Sequence, residues 1–385
     1  MEGSERMKII HCCFGNEHYI DTWGYQQNIL PLYHGKLGHD TIVLASNDTY
    51  PTFVNKDIID EIKKKGDCYE NGPVKVKRCP SYFAKHIHFQ KAKGLKAILE
   101  REQPDIIFFH GCLNFSILSC VSYKKKHRTT KLYADNHGDI FNVNPSKAYR
   151  FFFFKCFWSA IHKYCQRYVD CYYGVTNGRC DFLKEYFHIK AKRVKLLPIG
   201  ADVDAAKAIT ESKEILREKY GFLPSDMIIV HGGKLDPRKG TVDLIEVYRQ
   251  LRQQGYNNLR LVLFGKMVDQ RIKPMLDKDI VVYDWLSRTG TFELFKMADL
   301  AVWPIHHTTL IEDCVASKLP YLIRKTDTTK HLINSDFYLE TGDKEELTIK
   351  IEQFLQNTDK NSYIKHTLKM QEIISYYSIA KKVTE

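Results

Sequence analysis

Residues 228–240 read IIVHGGKLDPRKG, an apolar run followed by a glycine pair, two lysines five residues apart and a glycine. The apolar run predicts a buried strand, and residues 241–255 after it predict an amphipathic helix. A strand, a loop and a helix in this order point free backbone N–H groups at one spot, where Lys234 and Lys239 add two positive charges. The stretch matches neither the Walker loop nor the G-x-G-x-x-G fingerprint, so it fits either a phosphate site or an ordinary turn with solvated charges.

Length and composition predict a folded protein of two domains. The chain has 385 residues, of which 44% are hydrophobic and 27% are charged, values that are ordinary for soluble globular proteins. Its 58 Lys and Arg exceed its 46 Asp and Glu, which gives a net charge of +12. This excess favours an anionic partner: a nucleotide, a nucleic acid or an acidic membrane surface.

The cysteines and the amino-terminal sequence indicate a cytoplasmic protein. The 11 cysteines are scattered and form no CxxC pair, so we expect reduced core residues and no metal site. MEGSERMKII lacks an apolar signal core, and no stretch approaches the ~20 apolar residues of a membrane helix.

The first half of the chain alternates strand and helix patterns, starting with a β-α-β unit. The polar loop that contains Gly24 follows the first strand, and ligands of such sheets bind beyond the carboxyl ends of the strands. A later strand, residues 131–134, ends in the polar cluster 135–139, which includes His137. This cluster is either part of a site or a hydrogen-bonded turn with a satisfied histidine.

Residues 146–168 form an unusual aromatic and basic segment. Six of the eight residues from Phe151 to Trp158 are aromatic, and five lysines and arginines are interspersed through residues 146–168. Such a segment suits an interfacial helix among anionic head groups, and it equally suits a helix buried under the domain. RNA binding through stacked aromatic rings is a weaker third interpretation.

The second half repeats the strand and helix alternation after Pro198 and Gly200, where the pattern changes. We therefore predict an N-terminal Rossmann-like domain over residues 1–200 and a C-terminal Rossmann-like domain over residues 201–365. Residues 366–385 are expected to form a helix that packs back on the N-terminal domain. In HHTTLIEDCVASKLP (306–320), Thr308 or Thr309 is expected to cap a short helix that carries Glu312 in its first turn.

Four stretches in order resemble the GT-B glycosyltransferases of retaining family 4. DTWGYQQNILPLYHGKLGHD (21–40) resembles the first loop and helix of that family, and LLPIGAD (196–202) resembles its interdomain I-P-x-G-x-D. GGKLDPRKG (232–240) is similar to G-R-L-x-x-x-K-G, and IEDCVASKLPYLI (311–323) is similar to E-A-x-A-x-G-x-P-V-I. The resemblance implies two parallel α/β domains that face an interdomain cleft.

The resemblance also implies a role for particular residues. Lys234 and Lys239 fall on the phosphate-binding cations of the family, beside Gly233, and Glu312 falls on the carboxylate that accepts the ribose hydroxyls. Gly24 is expected to bring backbone N–H groups near the phosphates. The implied donor is a UDP- or GDP-sugar, used without a further cofactor or a metal ion.

By the same resemblance, His137 falls near the active-site histidine that lies beside the transferred sugar in the family. The implied acceptor is a glycan or a lipid-linked glycan of surface polysaccharide biosynthesis. An anionic membrane surface at the inner face of the cell membrane is a further expected partner, whereas nucleic acid is not expected.

Three departures from the family pattern keep two alternatives open. Pro304 stands where a second glutamate is usual, with His306 or His307 as residues that could occupy its space. Lys234 replaces an arginine, and Lys318 replaces a glycine. The alternatives are a sugar-nucleotide epimerase of the same fold and a non-catalytic partner subunit that binds an anionic surface.

Overall fold

The structure is a computed structural model that describes residues 5–48, 50, 54–86, 88–140, 143–144 and 146–385. The chain divides into two compact units. The first comprises Met1–Pro198 together with Ile379–Glu385, and the second comprises Ile199–Ser378. Both are built on parallel sheets covered by helices, which confirms the predicted α/β fold class.

The first unit alternates strands and helices along most of its length. Its strands are β1 (Lys8–Cys13), β2 (Asp40–Ser46), β3 (Cys68–Asn71), β4 (Val74–Cys79), β5 (Ser81–Tyr82), β6 (Lys91–Ala92), β7 (Ile106–His110), β8 (Lys131–Asn136), β9 (Cys171–Gly174) and β10 (Val194–Leu196). Its helices are α1 (Gln26–Lys36), α2 (Lys56–Lys64), α3 (Leu95–Glu102), α4 (Ile117–Lys126), α5 (Lys147–Tyr149), α6 (Ser159–Cys165) and α7 (Asn177–Tyr186). A π-helical stretch, Arg150–Trp158, connects α5 to α6.

The main sheet of the first unit places β1 at its centre. Within the described ranges the strand order is β10-β9-β8-β7-β1-β2-β4-β3, with β3 and β4 antiparallel. Since β1 is covered on both faces, its side chains from Ile9 to Cys13 are all buried, as expected for an interior parallel strand. β1 pairs with β2 on one side and with β7 on the other, so the strand order reverses direction at β1. A crevice therefore lies at the carboxyl ends of β1 and β7.

The second unit repeats this plan with a smaller sheet. Its strands are β11 (Met227–Gly232), β12 (Leu259–Phe264), β13 (Ile280–Tyr283), β14 (Leu300–Trp303) and β15 (Tyr321–Ile323). Its helices are α8 (Val203–Lys207), α9 (Lys213–Lys219), α10 (Thr241–Gln253), α11 (Arg288–Met297), α12 (Leu310–Ala316), α13 (Lys344–Gln356) and α14 (Asn361–Ile374). The last helix, α15 (Tyr376–Thr384), begins in this unit and ends in residues of the first.

The second sheet brings β11 and β14 together. Its order, for the part of the chain that the structure describes, is β13-β12-β11-β14-β15, and every pair is parallel. On one side β11 pairs with β12, the next strand in the chain, and on its other side it pairs with β14. The loops after β11 and β14 therefore share the crevice at the carboxyl edge of this sheet.

The aromatic segment combines the two interpretations that its sequence allowed. Phe154 and Trp158 are buried in the core of the first unit, at 3% and 0% exposure. Phe151, Phe152 and Phe157 are exposed, Phe152 by 66%. One face of the π-helical stretch thus anchors it to the core, and the other presents aromatic rings to the surroundings.

One local prediction is wrong and a second holds only in part. Residues 89–102 predict a helix, but the helix begins only at Leu95, because Lys91–Ala92 pair with β5 and Gly94 adopts a left-handed conformation. Thr309 stands at the N-cap position of α12 but has helical φ and ψ angles and makes no side-chain cap hydrogen bond. In the described part of the chain, no helix is long and apolar enough to cross a membrane.

Candidate functional site

The glycine loop after β11 follows the carboxyl edge of the second sheet closely. Gly233 has a φ of 119°, which side chains rarely adopt, and its N–H donates to the Phe264 carbonyl at 2.9 Å. A Cβ on Gly265 would lie 2.1 Å from the Gly233 carbonyl oxygen. Glycine is therefore required at position 233 by the backbone conformation and at position 265 by the close approach of the two backbones.

The two lysines of this loop differ in their surroundings. Lys234 is exposed, and its side chain has no hydrogen-bond or ion-pair partner among the residues described. Lys239 is half-buried, and its Nζ donates to the His307 carbonyl at 3.0 Å. Burial lowers the pKa of Lys239, and the nearby Asp236 opposes this. A bound anion would therefore favour the charged form of Lys239.

Asp236 is engaged by its neighbour in the loop. Its carboxylate accepts from the backbone N–H of Arg238 at 2.9 Å and from the Arg238 guanidinium at 2.7 Å. These bonds close the short 3₁₀ turn Pro237–Lys239, which precedes α10. Asp236 is thus committed to Arg238, which leaves the lysine cations of the loop available to an anion.

Glu312 provides a buried carboxylate close to this loop. It lies in the first turn of α12 and is 1% exposed. One oxygen, Oε1, contacts His307 Nε2 at 2.8 Å, and Oε2 has no hydrogen-bond partner in the described part of the chain. A buried carboxylate oxygen without a partner is costly, so it is suited to accept a hydrogen bond from a ligand hydroxyl.

His307 connects the lysine and the glutamate. Its carbonyl binds Lys239, and its ring binds Glu312. The sequence offered His306 or His307 for the space of the usual glutamate, and His307 makes these contacts. Gly233 faces the same segment, because a Cβ built on it would lie 3.6 Å from Thr308 Oγ1. The structure thus brings Gly233, Lys239 and Glu312 to one region of the second unit.

Buried polar residues hold this region in place. His231, in β11, contacts the Val302 carbonyl through Nδ1 at 2.7 Å and Thr241 Oγ1 through Nε2 at 2.9 Å, and burial lowers its pKa to about 4. Its neutral ring therefore ties β11 to β14 and to the start of α10. Sequence reasoning missed this role, although a histidine in an apolar strand is an unusual residue there.

A second support joins LLPIGAD to α12. The Arg288 guanidinium donates to Asp202 at 2.9 Å and to Asp313 at 3.2 Å. Burial raises the pKa of Asp313 to about 6, against the opposing charge of Arg288. The aspartate of the motif thereby fixes the helix that carries Glu312, through an arginine that sequence reasoning did not single out.

Lys318, which replaces the usual glycine, has a strained backbone. It follows the carboxyl end of α12 and has a φ of 61°. This left-handed position is the one that glycine commonly fills after a helix. The lysine at this position therefore costs about 1–2 kcal/mol of backbone free energy.

The first unit has its own cavity of about 420 Å³ at the carboxyl ends of β1, β7 and β8. His137 lies in its wall, as do Glu17 and Asn114, with Tyr149 and Phe154 as aromatic neighbours. Gly24 does not line this cavity and lies further along the loop, directly before Tyr25, the N-cap residue of α1. Of the two residues predicted for the first unit, the structure therefore places His137 in a cavity and Gly24 outside it.

His137 lies among charged side chains. Its Nε2 is 3.4 Å from Asp135 Oδ2. Burial lowers the pKa of His137, but the negative charges of Glu17 and Asp135 outweigh burial, so its pKa lies above the usual value. The raised pKa favours the protonated form of His137, in which both ring nitrogens are hydrogen-bond donors.

Among the described residues, no group of three or more His, Cys, Asp or Glu side chains could hold a metal ion. Both regions offer hydrogen-bonding groups and fixed charges. The second unit offers cations and a carboxylate, and the first offers an imidazole and amides beside aromatic rings.

The sequence matches two family models. Residues 33–205 match the model described as Glycosyltransferase Family 4, and residues 212–371 match Glycosyl transferases group 1. The processive diacylglycerol alpha-glucosyltransferase of Acholeplasma laidlawii is 24% identical over 180 residues, which are 44% of this chain and 54% of that protein. The chain spans about half the length of the curated relatives it matches.

Solved structures share the fold over nearly the whole chain. A glycosyltransferase from Rickettsia africae ESF-5 matches with a TM-score of 0.68 and 16% identity, over 98% of this chain and 97% of that one. HepE from Anabaena, solved in complex with UDP, matches with a TM-score of 0.66 and 14% identity, over 98% of both chains. At such identities the likeness establishes the fold.

Proposed function

We propose that this chain is a GT-B glycosyltransferase of group 1 and family 4. It moves a sugar from a nucleotide-sugar donor to a glycan or lipid-linked acceptor. The observation that carries the proposal is the partnerless Oε2 of the buried Glu312 carboxylate, linked through His307 to Lys239. HepE, of the same fold, binds UDP, which supports a UDP-sugar as the first donor to test.

The second unit recognises the nucleotide. Glu312 Oε2 accepts hydrogen bonds from the ribose hydroxyls, a charge-assisted contact that is stronger than a neutral one. The diphosphate lies against the glycine loop, where Lys239 and the exposed Lys234 face it. The close backbone at Gly233 leaves room for the phosphates, which a side chain there would occupy.

Transfer depends on stabilising the leaving group. Negative charge develops on the diphosphate as the bond to the anomeric carbon breaks, and Lys234 and Lys239 neutralise it. The acceptor hydroxyl attacks from the face of the leaving group, and its proton passes to the departing phosphate oxygen. The anomeric configuration is therefore retained, and neither a protein base nor a metal ion is part of the proposed step.

The first unit holds the acceptor. Its cavity of about 420 Å³ has a polar wall with His137 and Asn114 and an aromatic wall with Tyr149 and Phe154. Sugars combine hydroxyl groups with apolar ring faces, so such a cavity fits a glycan or the sugar of a lipid-linked acceptor.

The surface of the first unit fits an anionic membrane. Phe151, Phe152 and Phe157 are exposed along the π-helical stretch. Beyond them, a cavity of about 510 Å³ is lined by four cations: Lys163, Arg167, Lys190 and Arg193. Aromatic rings beside cations are typical of interfacial surfaces, which supports a peripheral enzyme of surface polysaccharide or glycolipid synthesis at the cytoplasmic face.

The test is a donor panel. UDP-, GDP- and CMP-sugars are screened by thermal shift with the full chain, because a ligand of the native state raises its apparent stability. Donors that bind are then incubated with and without acceptor oligosaccharides and followed by NMR. Transfer that needs the acceptor supports the proposal, conversion of the donor alone indicates an epimerase, and binding of no donor overturns it.

A further inference from the structure

Three buried histidines form a hydrogen-bonded chain behind the cavity of the first unit. His34 Nε2 is 3.2 Å from the Ala380 carbonyl oxygen, and His34 Nδ1 is 2.9 Å from His11 Nε2. His11 Nδ1 is 2.9 Å from His110 Nε2, and His110 Nδ1 is 2.8 Å from Asp135 Oδ2. All five residues are fully buried.

The fold explains why these residues meet. His11 and His110 lie on β1 and β7, which are far apart in sequence but pair in the sheet. His34 lies on α1, next to the carboxyl-terminal helix that supplies Ala380. Asp135 lies near the end of β8, directly before the cavity-lining residues Asn136 and His137. The hydrogen-bonded chain therefore runs from the last helix to the back of the cavity wall.

The direction of the hydrogen bonds follows from the carbonyl end. A carbonyl oxygen only accepts, so His34 Nε2 carries a proton, and a neutral imidazole has one N–H and one acceptor nitrogen. His34 Nδ1 therefore accepts from His11 Nε2–H. By the same rule His11 Nδ1 accepts from His110 Nε2–H.

The carboxylate end requires one more proton. Both ends of the chain, the Ala380 carbonyl and the Asp135 carboxylate, are acceptors, and three neutral rings have three N–H groups for four contacts. Reversing every bond would leave His34 Nε2 bare against the carbonyl oxygen. Four filled contacts thus need a fourth proton, and that proton also makes the buried cluster electrically neutral, which burial favours.

We propose that His34, His11 and His110 form a proton-holding chain in which His110 is the imidazolium partner of Asp135, and that it positions His137 in the cavity. Asp135 Oδ2 contacts both His110 and His137, and its Oδ1 accepts from the Gly111 N–H at 2.6 Å. The carboxylate is thereby held as an acceptor with a buried counter-charge. This inference concerns the first unit alone and does not depend on sugar transfer.

The surroundings of His11, His34 and Asp135 agree with the proton count of the hydrogen bonds. Burial lowers the pKa of His11, with His34 and His110 adding to the effect, and it lowers the pKa of His34 to about 3. Burial raises the pKa of Asp135, but His110 and His137 outweigh it and hold that pKa below its usual value. Two neutral rings and an ionised carboxylate leave His110 as the site of the fourth proton.

The experiment counts ring protons in the full chain labelled with ¹⁵N-histidine, since long-range ¹H–¹⁵N spectra distinguish a bare ring nitrogen from a protonated one. At neutral pH we expect protonated Nε2 and bare Nδ1 for His34 and His11, and two protonated nitrogens for His110. His162, buried between the Cys112 carbonyl and Tyr172 Oη, serves as an internal reference with one proton. A bare nitrogen on His110 overturns the proposal, and this result needs no variant.

Asp135→Asn provides a matched perturbation, because the amide keeps the shape and can donate to His110 Nδ1. Three neutral rings then fill all four contacts, so His110 is expected to lose one proton while His11 and His34 keep theirs. Asp139→Asn is the control: Asp139 is also buried and charged, but it pairs with Arg179 at 3.2 Å. The inference is contradicted if His110 keeps both ring protons in Asp135→Asn. It is also contradicted if His110 loses a ring proton in both variants.

Discussion

Replacing Glu312 by glutamine separates donor recognition from folding. The glutamine side chain has the same length, and its carbonyl oxygen can still accept from His307, as Oε1 does now at 2.8 Å. The amide nitrogen takes the place of Oε2, which has no partner among the described residues. The substitution therefore removes no hydrogen bond of this carboxylate within the described part of the chain, but it removes the acceptor offered to the ribose.

The expected loss follows from that single acceptor. A hydrogen bond to a charged group contributes about 1.5–3 kcal/mol, which corresponds to roughly 10- to 100-fold in affinity. We expect UDP to bind Glu312→Gln weaker by this factor in isothermal titration calorimetry. The free energy of unfolding, from urea titration, is expected to change by less than about 1 kcal/mol, since the contact with His307 is kept.

Glu293→Gln is the matched control for this experiment. Glu293 lies in the same unit, is also buried, and accepts from Lys219 at 2.8 Å and from Tyr220 at 2.6 Å. Its replacement is expected to lower stability by about 1 kcal/mol and to leave UDP binding unchanged. Unchanged UDP affinity in Glu312→Gln, or an equal loss in both variants, refutes the assignment of Glu312 to the ribose.

Four further predictions concern other parts of the chain. Lys239→Ala is expected to slow transfer by about 10²–10³-fold in a steady-state assay, because a cation at the leaving group is lost. Lys318→Gly is expected to raise the free energy of unfolding by about 1 kcal/mol, since glycine adopts a φ of 61° without strain. Phe152→Glu is expected to weaken sedimentation with anionic vesicles by about tenfold, because an exposed aromatic ring no longer enters the interface. Stability in urea is expected to fall by about 2 kcal/mol for each of His34 and His162 between pH 7 and pH 5: the native rings titrate at about 3 and about 4, whereas the unfolded rings bind protons below about 6.5.

Controls and contrary results accompany these predictions. Lys278→Ala is the control for Lys239→Ala, because it removes an exposed cation before β13, at the opposite edge of the second sheet. The transfer rate of Lys278→Ala is expected to stay unchanged. An equal loss of transfer rate in both variants contradicts the leaving-group role of Lys239. Ile349→Glu changes an exposed apolar residue on α13 and is expected to leave vesicle binding unchanged. A lower stability of Lys318→Gly, or a stability that stays flat from pH 7 to pH 5, counts against the corresponding explanation.

The repeating strands and helices were predictable because each signal is local. Buried parallel strands such as IIHCC (9–13) and LVLF (261–264) are apolar runs between turn residues, and the alternating order implies parallel sheets. The mixed, charged residues 52–80 predict a short helix and an edge hairpin, and the structure has α2 and the β3–β4 pair there. Residues 52 and 53 lie outside the described ranges.

The faces of the aromatic segment were not predictable from α-helical spacing. Helical periodicity assumes 3.6 residues per turn, but Arg150–Trp158 is π-helical. Phe154 therefore points into the core, while Phe152 stays exposed. A charged residue at Phe154 would test folding and not membrane binding, which is why Phe152 is the residue to change.

The candidate site was predictable only where a motif carried it. Gly233, Lys239 and Glu312 belong to motifs, and the structure brings them to one region. His34, His11 and His110 belong to none, and no local pattern indicates their mutual contacts, because these depend on which strands and helices become neighbours. An isolated histidine within an apolar strand is the one sequence signal that singles out His11 and His110.

The anomeric configuration of the product tests the central claim most directly. The full chain is incubated with the donor sugar that raises its melting temperature and with an acceptor oligosaccharide, and ¹H NMR follows the anomeric protons. We expect nucleoside diphosphate and a glycoside that keeps the anomeric configuration of the donor, formed only when the acceptor is present. An inverted product, isomerisation of the donor without acceptor, or no reaction with any donor that binds would contradict a retaining glycosyltransferase.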